Sequence, residues 1–148
     1  MKRLTVAALA ALMASGTVLA AGPFDPIRGK MKEGMYEYRM DMDMSGMPGG
    51  MGKHSTTMQH CVTARDIEGG DFARGGKNPG NCEFKDMKVS GNTADYKMVC
   101  TQPDMTSDNH VVFRDDGFAV DTKMSMKQQG QAMNMSQHME GKYIGACK

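Results

Sequence analysis

The sequence predicts an all-β protein, an antiparallel meander of about seven strands curled into a barrel or half-barrel and pinned by disulfides. Three observations carry that prediction. Apolar residues recur with period two in segment after segment and hardly ever with period 3.6, the pattern of half-buried strands rather than amphipathic helices. Turn signals separate these segments, Ser90-Gly91-Asn92 and Asp116-Gly117 among them. The four cysteines, Cys61, Cys82, Cys100 and Cys147, follow an export signal, and an even number in an exported chain reads as two disulfides.

Residues 1–20 stand outside the fold. Lys2 and Arg3 precede an apolar run, Leu4 to Ala14, and Val18-Leu19-Ala20 offers a small-residue cleavage site. The run is about half of the roughly 20 residues that span a bilayer, so it reads as a removed signal peptide and not an anchor. Residues 21–148 are then a single all-β domain, expected in the periplasm and without a membrane span.

From Tyr36 the alternate positions Tyr36, Tyr38, Met40, Met42 and Met44 face one side, with Glu37, Arg39, Asp41 and Asp43 on the other, which makes a half-buried strand. Ser45 to Gly52 reads as a loop and Lys53 to Val62 as the returning strand. Thr63 to Asp66 suits a short helical turn capped by Thr63, and Gly69 to Asn81, rich in glycine, reads as an irregular surface loop. Cys82 to Val89 and Thr93 to Thr101 form a hairpin about Ser90-Gly91-Asn92, which would set Cys82 opposite Cys100. Of the three connectivities this favours Cys82–Cys100 with Cys61–Cys147. Asn109 to Arg114 and Phe118 to Lys127 follow, joined across Asp116-Gly117. The last strand, Gln131 to Ile144, returns so that Met126 meets Met133 and Met124 meets Met135.

Composition narrows the function. The formal net charge is +1, so there is no basic excess to neutralise phosphates and nucleic acid is not an expected partner. No Gly-x-Ser-x-Gly elbow or His-Glu-x-x-His motif occurs, the cysteines are expected to be oxidised, and the four histidines are scattered. No catalytic residue is therefore expected. Asp41-x-Asp43-x-Ser45-Gly46 opens like a calcium loop, but its twelfth position is Gly52 where a bidentate Glu is needed, so a solvated strand face accounts for it better.

The unusual feature is methionine, 18 residues against no Trp and 6% aromatics. Two readings compete. Thioethers are soft ligands for Cu(I), and Met42, Met44, Met58, His54 and His60 could converge in the first hairpin. Alternatively Met replaces Leu and Ile as pliable core filler. In the last hairpin, Met124, Met126, Met133 and Met135 run on into Phe118, Val120 and Tyr143, as a core stripe does, while His138 points the other way. The leading expectation is a non-enzymatic binding or structural protein whose Met-lined face takes a small apolar ligand or a protein segment. Cu(I) binding is the alternative, and no other cofactor is expected.

Several segments together resemble the exported bacterial proteins of domain-of-unknown-function family 3617. Lys32-Glu33-Gly34-Met35-Tyr36-Glu37 is similar to that family's Pro-Gly-Leu-Trp-Glu opening, and Met44 to Gly50 to its Met-Pro-Gly-Met-Pro loop. Cys61-Val62-Thr63 resembles its Cys-Leu-Thr-Pro-Glu. Cys82 to Cys100 resembles its central segment, and Gly141 to Cys147 its Gly-Arg-Arg-Ile-Gly-Asp-Cys ending. Glu33 replaces the usual Pro, and Tyr36 and Tyr96 the usual Trp. The resemblance implies a secreted β-protein and supplies no catalytic residues.

Overall fold

The computed structural model describes residues 24–45, 52–74, 81–128 and 130–148. The expected signal peptide and cleavage site lie outside the described residues, as do 46–51, 75–80 and Gln129 of the expected loops. Seven antiparallel strands form one sheet: β1 (Gly34–Asp43), β2 (Lys53–Val62), β3 (Cys82–Ser90), β4 (Thr93–Thr101), β5 (Asp104–Arg114), β6 (Gly117–Gln128) and β7 (Gln131–Gly145). Their spatial order is β2-β1-β7-β6-β5-β4-β3. The sheet is open, a half-barrel with β2 and β3 as its edges. β2 and β3 do not pair, and β1 pairs instead with β7, Tyr36 opposite Tyr143 and Met40 opposite Met139.

The chain between the two edges carries a short helix, α1 (Ala64–Gly69). Thr63 caps it in a capping box: its hydroxyl accepts from the Asp66 N–H, and the Asp66 carboxylate accepts from the Thr63 N–H at 2.7 Å. Gly70 ends α1 at φ 71°, and a Cβ there would lie 2.2 Å from the Phe24 ring, so both backbone and packing require glycine.

One face of the sheet holds the core. Tyr36, Tyr38, Phe113, Phe118, Val111, Val120 and Met139 point inward, under Phe24, Ile27 and Met31 from the N-terminal segment and Ile67, Phe72 and Ala73 from the α1 region. No periodic pattern in the sequence announces this cover. Phe72, within the stretch expected as a surface loop, is instead fully buried in a 3-10 turn (Asp71–Arg74) and packs edge-on against Phe118 at 5.3 Å. With only one large apolar side chain among polar and glycine residues, that stretch has no periodicity to reveal it. Phe24 meets Phe72, Phe84 and Tyr96, all edge-on. These contacts cover one half of the inner face and leave the other half to methionine.

Two further boundaries differ from expectation. β5 begins at Asp104, not Asn109, because Ser107 and Asn109 occupy inward positions and polar residues there break the alternation. The β5–β6 turn consists of Asp115 and Asp116, with Gly117 already paired with Arg114. Gly117 is required by closeness: a Cβ would lie 2.0 Å from the Gly141 carbonyl oxygen. Both disulfides form with the favoured connectivity, Cys61–Cys147 with Cα atoms 5.5 Å apart and Cys82–Cys100 at 4.0 Å.

Candidate functional site

Strand register determines which methionines meet. Met126 lies opposite Met133 and Met124 opposite Met135, as the turn chemistry predicts. β5 and β4 extend both rows. One runs Met133, Met126, Met105, Cys100, Cys82, and the next Met135, Met124, Ser107, Met98, Phe84. Met98, Met105 and Met133 are buried, while Met124, Met126 and Met135 are half-buried. Side chains at alternate positions share a face, so six methionines from four strands line this end of the inner surface.

A buried polar group separates these rows from the aromatic half. Thr122 Oγ1 donates to Asn109 Oδ1 at 2.9 Å, and Asn109 Nδ2 donates to Ser107 Oγ at 2.9 Å. The three residues lie on neighbouring strands and satisfy one another, so burial leaves none of those atoms unpaired. Sequence reasoning missed this group together with Met105, whereas Met98 already falls with Phe84 and Tyr96 on the face shared by Cys82 and Cys100. The inward alternation Met105, Ser107, Asn109, Val111 was the available signal.

The first hairpin distributes the proposed copper ligands unevenly. His54 is directly opposite Met42, Met58 opposite Tyr38 and His60 opposite Tyr36. At about 3.3 Å per residue along a strand, Met58 and His60 lie four and six residues from His54, beyond the reach of one ion held at His54. Met42 and His54 are brought together. Met44 lies just past β1, where its N–H donates to the Gly52 carbonyl at 3.0 Å. His60 packs edge-on against the Tyr38 ring, and Met58 is 40% exposed on the edge strand. Among the described residues no three His, Cys, Asp or Glu side chains are placed to hold a metal ion.

Two clefts border these residues. Both open mainly on the outer face: one of about 490 Å³ is lined chiefly by the outward Thr106, Asp108, Lys123, Ser125, Asn134 and Ser136, the other of about 400 Å³ by the outward Asp41, Lys53, Ser55, Asp121, Lys123 and His138, with Met124, Met135, Met42 and His54 touching them from the inner-facing positions. Both have mixed polar and apolar linings. Asp43, which borders both, accepts from the Ser45 hydroxyl at 2.6 Å and from the Ser45 N–H at 3.0 Å. These bonds hold its carboxyl below the usual range, the hydroxyl contributing most. Asp41 accepts from the Ser55 hydroxyl across the hairpin. The Asp-rich stretch is thus a strand face hydrogen-bonded to serines.

The outer face is a polar ladder. His138 Nδ1 lies 2.6 Å from Asp121, and His110 Nδ1 2.6 Å from Asp95. His138 therefore points away from Met133, Met135 and Met139, as the alternation requires. Such exposed pairs contribute little to stability, about 0–1 kcal/mol each.

An open, disulfide-linked β half-barrel with a Met-lined inner end is the class that fold and site define. The chain belongs to the family described as protein of unknown function DUF3617, whose profile matches residues 31–147. No curated protein and no solved structure matches it. No helix among the described residues is long and apolar enough to cross a membrane.

Proposed function

We propose that the protein is an exported, periplasmic, non-enzymatic binding protein that holds a small apolar ligand on its Met-lined inner end. One observation carries this reading: Met124, Met126 and Met135 lie in register with the buried Met98, Met105 and Met133 on the inner face, yet are themselves only half-buried. Unbranched thioether side chains adapt to varied apolar shapes, which suits a pliable binding surface. Export is supported by two disulfides, which persist in oxidising compartments.

The neutral fluorescent probe phenylnaphthylamine tests the reading. It should bind with micromolar affinity, and replacing Met124, Met126, Met133 and Met135 by Ser should lower stability and uptake together. Full folding with undiminished uptake in that variant would refute the ligand face. If only an apolar peptide binds and the probe does not, the occupant is a protein segment instead.

A second reading, Cu(I) binding, is favoured by the direct pairing of His54 with Met42. Titration of reduced copper into protein with its disulfides intact should then give a complex that weakens in Met42→Leu and His54→Ala. No complex in the micromolar range, or unchanged affinity in both variants, excludes it.

A further inference from the structure

At the end of the half-barrel opposite the methionines, a cavity of about 450 Å³ is enclosed by the N-terminal segment at Gly29 to Lys32, the β3–β4 turn at Asn92 and the β5–β6 turn at Arg114 to Gly117. Tyr36 and Phe113, both nearly fully buried, form its floor, and Tyr143 stands edge-on to Tyr36 at 5.5 Å as a wall. Its rim holds three cations, Lys30, Lys32 and Arg114, against one carboxylate, Asp115. In a chain with a formal net charge of only +1, this local excess stands out.

Backbone hydrogen bonds fix the walls relative to one another. The Phe113 N–H donates to the Asn92 carbonyl at 2.7 Å and the Tyr143 N–H to the Asp116 carbonyl at 2.8 Å. Lys30 donates to the Gly91 carbonyl, tying the N-terminal segment to the β3–β4 turn, and the Tyr36 hydroxyl donates to the Lys32 carbonyl at 2.9 Å. The cavity is thus preformed, which spares a ligand the cost of ordering it. Two cations retain capacity for a ligand. Arg114 reaches Glu140 only at 3.5 Å, and Lys32 makes no ion pair among the described residues.

We propose that this cavity binds a small organic anion with a flat apolar body, a carboxylate or sulfonate carried on an aromatic or alicyclic ring. The acid group sits between Lys32 and Arg114, and the ring lies against Tyr143 above Tyr36 and Phe113. Guanidinium and ammonium donors make charge-assisted bonds to such an acid, while the aromatic floor takes the ring. A neutral ring gains only the second contribution. The site is independent of the Met-lined end and stands or falls separately.

Anilinonaphthalene sulfonate, an anionic aromatic probe, tests the proposal beside neutral phenylnaphthylamine. The sulfonate should bind the wild-type protein, more weakly as salt rises, and Lys32→Gln with Arg114→Gln should weaken it about tenfold or more, the loss of at least one charge-assisted bond. Phenylnaphthylamine affinity should not change in that variant. Absence of sulfonate binding, unchanged affinity in the variant, or an equal fall for both probes overturns the site. Lys32→Glu, at an exposed position, repeats the test should the double variant lose its native thermal midpoint.

Discussion

Tyr38 is fully buried, and its hydroxyl finds no hydrogen-bond partner among the described residues. A hydroxyl buried without a partner costs about 1–3 kcal/mol by protein mutational data. Tyr38→Phe removes that cost and keeps the ring, with its edge-on contacts to Phe118 at 5.6 Å and His60 at 6.1 Å. The void left is one oxygen, smaller than a methyl group, so the packing loss is under about 1 kcal/mol. Tyr38→Phe should therefore raise stability by about 0.5–2 kcal/mol. For a domain of this size, each kcal/mol moves the thermal midpoint by roughly 3–5 °C. Tyr36→Phe is the control. It deletes the 2.9 Å bond to the Lys32 carbonyl and should lower stability by about 1 kcal/mol. Urea unfolding of the three proteins decides the matter. A loss of 1 kcal/mol or more in Tyr38→Phe would mean that the hydroxyl is bonded and refute the reasoning.

Three other outcomes follow from the same structure. Burial raises both Tyr36 and Tyr38 above the ordinary tyrosine value of 10.0, so above that pH the unfolded chain releases protons the folded chain keeps. Their contribution to stability is complete below about pH 10 and is lost as pH rises further; urea midpoints at about pH 8 and pH 11 should differ less in Tyr38→Phe than in the wild type. Phe72→Ala should cost about 3–5 kcal/mol by thermal or urea unfolding, since it empties the contact between the α1 region and Phe118; a cost below 1 kcal/mol would show that the cover is not packed. In the chain-entropy account, removing Cys61–Cys147, with a separation of 86 residues, should cost about 4–5 kcal/mol, against about 3 for Cys82–Cys100 with 18. Paired Cys→Ser variants compared by urea unfolding check the order, and a larger loss for Cys82–Cys100 contradicts it.

What the sequence disclosed was what alternation and turn chemistry encode. The hairpin registers at Met124–Met135 and Cys82–Cys100 follow from short connections, so both pairs were legible. The start of β5 was not, because Ser107 and Asn109 are inward residues whose polarity is compensated by hydrogen bonds visible only in three dimensions. Pairing of β1 with β7 was equally hidden, since no turn joins them. The shift of alternation in β3 also needed the structure: Asp86 at φ 56° marks a bulge that turns Met87 and Val89 inward after Phe84. At the candidate site, composition revealed the methionines, but which of them are buried and which half-buried depends on what covers the sheet. The cationic cavity draws on the N-terminal segment and two distant turns and has no local signature at all.

The seam between β1 and β7 joins strands from distant parts of the sequence, whereas β3 to β7 follow one another through short turns. The β1–β2 hairpin is therefore a separable flap, added to a five-strand unit that can assemble from local contacts first. If the flap lifts, the β7 edge becomes a template for the same hairpin from another copy, the route to domain exchange. Cys61–Cys147 tethers the flap to the end of β7, so an opened seam closes again within its own chain. Chain identity of the sheet then depends on redox state: protein lacking this disulfide should form concentration-dependent dimers by size exclusion, and a strictly monomeric variant would show that strand pairing alone keeps the flap at home.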